Sequence, residues 1–263
     1  MPSKKKKLPS SHPHRKTPRK RETPKEPLPP VHPWRVCPYG EHWVRKHPLH
    51  IPPGILHPEG HTVTRREHCA RNPSGRDQLY PEEMKEMAAQ HFPDAKIKPC
   101  PLTLKFDNGS KYDDLIAGWV QYWNDIFKPD VLLDPNLVKA LIASESSFNP
   151  DILAGKNHSN SARGLMQITN DTREILGDDQ GELKDHYITV TKEDLNDPGV
   201  NIGSGVRWLF QKRKLATKPS KPPPSWVDIV WKYKATSIAS KEKRKQIKET
   251  FGDYLKKLQQ CKK

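Results

Sequence analysis

From residue 112 onward, apolar side chains recur at spacings of three and four, the period of helices with one buried face. In YDDLIAGWVQYWNDIF, Leu115, Trp119, Tyr122, Trp123 and Ile126 fall on one such stripe. Asp134-Pro135 caps the next helix, which runs from Leu137 to about Ser147. An aspartate accepts from the free N–H groups at a helix start, and proline suits the first turn. The pattern predicts further helices near 162–168, 171–176, 200–214, 226–236 and 241–258. Upstream, Tyr80-Pro81-Glu82-Glu83 opens a helix to about His91, with two acids at its positive end. Strand signals are sparse, and DHYITVTKEDL holds a short strand or an extended loop. The chain reads as mainly α.

One position breaks the stripe. Leu137, Val138, Leu141 and Ile142 set a buried face, and Glu145, four and three residues after the last two, falls on it. Facing the core, a carboxyl is desolvated, which disfavours its charged form. The last turn of a helix adds the negative end of the dipole. The nearest basic residue in sequence is Lys139, six residues back and on another face. These features raise the affinity of Glu145 for its proton, as a general acid requires. The alternative is a helix that frays early and leaves Glu145 in water.

Composition divides the chain. With 33% hydrophobic residues and 27 prolines in 263, it is too polar for one compact body throughout. Residues 1–30 are Lys, Arg, Pro, Ser and His, a basic tail expected to be disordered because it cannot bury enough surface to offset its ordering entropy. Residues 31–104 read as a small loop-rich region containing Cys, His and Pro, with one helix, and residues 105–263 as the helical domain. A net charge of +15 points to an anionic partner: a wall polymer or a nucleic acid bound through residues 1–30, or a membrane surface. No transmembrane run and no standard secretory signal is present in the sequence. The expectation is synthesis in the cytoplasm and action after lysis, in a virion or through a secretion apparatus. The four cysteines are scattered, so no disulfide framework is expected without export. Cys37, His42, His68 and Cys69 are of zinc-ligand type, but their spacing is not that of a standard zinc finger. No metal or cofactor is assigned.

The residues that follow Glu145 sharpen the reading. Glu145-Ser146-Ser147-Phe148 with Pro150, then Gly164-Leu165-Met166-Gln167 about twenty residues on, resembles the soluble lytic transglycosylase (SLT) family. Asp134-Pro135-x-Leu137, Asp197-Pro198, Asn201-Ile202 and Gly205 match its flanking positions. The resemblance implies a lysozyme-like (goose-type/SLT) helical domain that cleaves the glycan strands of peptidoglycan. It makes Glu145 the single catalytic acid/base and Ser146 its hydrogen-bonding neighbour, with Met166 and Gln167 lining the saccharide cleft. Asn201 joins them among the expected substrate-binding residues. For Ser146 a capping hydroxyl, and for Met166 plain core filling, are the structural alternatives. The family's later Tyr-Asn-x-Gly motif has Tyr233 at its tyrosine, but Lys234 replaces the asparagine and Thr236 the glycine. That departure leaves room for a plain core tyrosine.

One acid suffices where the substrate supplies its own nucleophile, an exception to the two-carboxylate rule for glycosidases. The resemblance implies closure of the muramyl 6-hydroxyl onto C1 and a 1,6-anhydromuramyl end, with a muramidase-type hydrolase as the variant. Two rival classes remain at this level: a domain that binds glycan without cutting it, and a nucleic-acid-binding protein that uses its basic N-terminal region.

Overall fold

The computed structural model describes residues 31–55, 57–234 and 240–261. The expected tail at 1–30 and the Thr236 end of the helix expected at 226–236 lie outside them. The described residues form seven α-helices, at Pro81–His91 (α1), Asp113–Phe127 (α2), Pro135–Ser146 (α3), Asn170–Gly177 (α4), Pro198–Ala216 (α5), Trp226–Tyr233 (α6) and Lys241–Gln259 (α7). Most begin as the sequence chemistry requires. Asp134, Thr169, Asp197, Ser225 and Ser240 each accept a backbone N–H at the start of α3 to α7, and proline follows both aspartates.

The core forms where α2 crosses α5. Trp119, Tyr122 and Trp123 are fully buried on α2, and the Trp123 indole donates to the Gly203 carbonyl at 3.1 Å. Gly203 is required there, because a Cβ would stand 2.6 Å from Met84 and 2.7 Å from Trp119. On its other flank α3 packs against α7 through Phe251, Leu255 and Leu258.

Residues 31–104 do not form a body with a core of their own. Two antiparallel pairs lie there, Glu41–Val44 (β1) with His68–Arg71 (β4), and His47–Ile51 (β2) with His61–Arg65 (β3). Next, Gln78–Leu79 (β5) pairs in parallel with Tyr187–Ile188, the short strand expected in DHYITVTKEDL. Leu79, Met84, Met87 and Phe92 belong to the same apolar cluster as α2, α3 and α5. Arg35 fastens this region. Its buried guanidinium meets Asp77 at 2.5 Å and Glu83 at 2.7 Å. Burying such ions is costly, and removing one partner would leave an uncompensated charge in the core.

Two expectations about the fold are corrected. The cysteines pair, Cys37 with Cys69 and Cys100 with Cys261, at Cα separations of 5.6 and 5.8 Å. The expectation of free thiols rested on export signals, whereas folding brings residues 161 positions apart into bonding range. The Cys37, His42, His68, Cys69 set is therefore unavailable to zinc as thiolates, and the His42 Nδ1 lies 2.8 Å from the Asn72 side-chain oxygen. Finally, residues 162–168 are not helical. They form part of a three-stranded antiparallel sheet, Leu153–Ala154 (β6), Ala162–Arg163 (β7) and Ile168–Thr169 (β8), followed late in the chain by Tyr187–Ile188 (β9).

Candidate active site

Helix α3 ends in two consecutive left-handed residues, Ser147 at φ 53° and Phe148 at φ 61°. That backbone costs a non-glycine residue roughly 1–2 kcal/mol. The Phe148 side chain offsets it by complete burial against Phe106, their ring centroids 5.7 Å apart, a contribution of about 1.5–3 kcal/mol. The end of α3 is thereby pinned. Ser146 turns back into its own helix, buried, with its hydroxyl donating to the Ile142 carbonyl at 3.2 Å. It supports the helix end instead of presenting a hydroxyl to a sugar.

Glu145 keeps only 18% of its side chain exposed, and it is not alone. The Lys234 ammonium donates to Glu145 Oε1 at 2.6 Å and to the Ser144 hydroxyl at 3.1 Å. Burial pushes the Glu145 carboxyl above the ordinary carboxylate range, and Lys234 opposes that rise without cancelling it.

The second motif is a tight turn held from below. Gly164 lies at φ 71°, and a Cβ there would collide with the Asn201 amide. Asn201 is fully buried on α5. Its oxygen accepts the Met166 N–H at 2.8 Å, and its amide donates to the Arg163 and Leu195 carbonyls at 3.0 and 2.9 Å. It is the underpinning of the turn and makes no surface available to substrate. The Met166 side chain is also fully buried, packed where Gly205 leaves space on α5. Gln167, half-buried at φ 49°, donates its amide to the Ile152 and Gly164 carbonyls at 3.2 and 2.8 Å.

Tyr233 closes the constellation. Its hydroxyl donates to the Met166 carbonyl at 2.7 Å. Desolvation, and then the negative charge of Glu145, hold the phenol well above its ordinary range. Residues 233 and 234 thus join the two motifs, the tyrosine reaching the turn and the lysine the end of α3. Lys234 lies 89 positions from Glu145, so the local sequence around the acid carries no sign of it. Its signal was the substitution at the family's asparagine. A separate hollow of about 300 Å³, lined by Phe127, Asp185, Arg207 and Phe210 among others, includes none of these residues.

A mainly helical, lysozyme-like domain with one half-buried carboxyl beside an ordered second motif is the class that this arrangement defines. Residues 130–251 match the family model described as Transglycosylase SLT domain, a family whose members are lytic transglycosylases of peptidoglycan. No curated protein matches the chain.

Proposed function

We propose that the protein cuts peptidoglycan glycan strands between N-acetylmuramic acid and N-acetylglucosamine, with Glu145 as the single acid/base. The observation that carries this reading is a carboxyl held over its ordinary proton affinity by burial at the pinned end of α3, tied through Lys234 and Tyr233 to the second motif. Protonated Glu145 donates to the glycosidic oxygen as the bond to C1 breaks, its electron pair leaving with that oxygen. The Glu145 carboxylate then takes the proton of the muramyl 6-hydroxyl as O6 bonds to C1. The acid is regenerated, no water is consumed, and a 1,6-anhydromuramyl end results. Gln167, half-buried on the turn, is the residue placed to meet the sugar, and Tyr233 positions that turn.

The two disulfides support action in an oxidising compartment, in keeping with a wall substrate. Delivery by lysis, a virion or a secretion apparatus is part of the same proposal. The test is incubation of the full chain with purified peptidoglycan and mass spectrometry of the sugar ends. Anhydro ends and a silent Glu145→Gln variant are expected. Ends heavier by one water would mean a muramidase, and release undiminished in Glu145→Gln would remove the mechanism.

A further inference from the structure

The lysine beside the acid has a role of its own, which rests on the function just proposed. Lys234 follows α6 directly, and its backbone N–H is bonded to the Val230 carbonyl at 2.9 Å. Its side chain is 6% exposed and enters the last turn of α3. There it finds the Glu145 carboxyl, the Ser144 hydroxyl and, at 3.5 Å, the Ser144 carbonyl. An ammonium has three protons to donate, and the C-terminal turn of a helix is the end that attracts a cation. Three acceptors from two adjacent residues hold this group in place.

We propose that Lys234 is a positioning residue for the reaction: it fixes the orientation of the Glu145 carboxyl and stabilises the carboxylate left behind once the proton has gone to the glycosidic oxygen. Proton donation creates a negative charge in a largely desolvated place. An ammonium already bonded to that oxygen needs no rearrangement to receive it, so the stabilisation is greatest after transfer begins. The same contact makes Glu145 a stronger acid than burial alone would allow, and it lowers the pH at which the donor is lost.

Few other groups compete for this control. Among the described residues, Tyr233 at the end of α6 and Lys234 just after it are the titratable groups coupled to Glu145. From α2, Asp113 is committed to Lys139 at 2.8 Å. From α7, the buried residues are Phe251, Leu255 and Leu258, and its lysines point to solvent. The Met166–Gln167 turn is neutral.

The pH dependence of wall cleavage by the full chain tests the proposal, in wild type and in Lys234→Met, Lys234→Asn and Lys234→Arg, with each fold checked by thermal melting. Activity falls on the alkaline side as Glu145 loses its proton. Removing the ammonium lets the carboxyl keep its proton to higher pH, so that limb should move up by about one pH unit in the Met and Asn variants. It should stay near the wild-type position in Lys234→Arg. A limb that does not move in folded Met or Asn variants, or that moves equally in the Arg variant, overturns the proposal. Should neither neutral variant fold, 13C NMR of the Glu145 carboxyl in wild type decides. A Lys234 side-chain signal that shifts along with that carboxyl titration supports the coupling, and one indifferent to it refutes it. A wild type inactive at every pH counts against the glycan-cleaving function, while the NMR titration still judges the ion pair.

Discussion

Asn201→Ala offers the sharpest test of how the site is built. The wild-type side chain is fully buried and makes three hydrogen bonds, to the Met166 N–H and to the Arg163 and Leu195 carbonyls. Alanine would leave one donor and two acceptors without partners. A buried polar group without a partner costs about 1–3 kcal/mol. Arg163 is half-buried, so water can reach part of the gap, and alanine's better helix propensity returns about half a kcal/mol. The net expectation is a loss of about 3 kcal/mol, a large share of the 5–15 kcal/mol typical of a folded protein. Asn201→Asp is the informative companion. It keeps the acceptor for Met166 but sets a carboxylate oxygen against two carbonyls, so it should be at least as damaging at neutral pH. Urea unfolding followed by circular dichroism, with disulfides intact, reads the stability. Release of soluble sugar from peptidoglycan at low temperature reads the site. A variant within about 1 kcal/mol of wild type but with a raised KM would refute the reasoning, because it would make Asn201 a contact to sugar and not a support for the turn.

Two further perturbations address the frame and the acid. Cys100→Ser with Cys261→Ser opens a loop spanning 161 positions and should cost about 3–4 kcal/mol, lowering the melting temperature and freeing the far end of α7 to exchange amide protons. A melting temperature unchanged from the oxidised wild type would contradict this. Glu145 has a folded-state proton affinity raised above its ordinary value of 4.5, so the folded chain binds the extra proton. Its contribution to stability is complete below that value and is lost as pH rises through the folded one. Glu145→Gln lacks this dependence, so its melting temperature should gain on wild type as pH rises above 4.5. A constant difference across that range would show that the carboxyl is not raised.

Helices were legible because their buried faces repeat with the helical period and their caps are chemically distinctive, as at Asp134-Pro135 and Asp197-Pro198. The stretch at 162–168 misled for a physical reason. Leu165, Met166 and Ile168 bury like helical neighbours, yet Gly164 and Gln167 turn left-handed and fold the segment into strands. Glu145 could be found because it interrupts an apolar stripe, a local signal. Its partner Lys234 could not, since an ion pair across 89 positions leaves no trace in spacing. The disulfides were missed because cysteine separation along a chain says nothing of separation in space. Asn201 matched the family's pattern, but pattern does not reveal direction, and its amide faces inward. Nothing in the spacing around Arg35 announces its partners, because Asp77 and Glu83 reach it only through the fold.

The shared interior bears on anyone who would cut this protein down to its family-matched part. A fragment beginning at residue 105, or at 130 where the family match starts, discards Phe92 and Met84, and with them the aromatic and thioether wall against Trp119 and Gly203. It also strands Cys261 and leaves β9 with no neighbour. The family-matched segment is thus roofed by sequence outside its own signature, and it should travel between hosts or expression plasmids only with that roof attached.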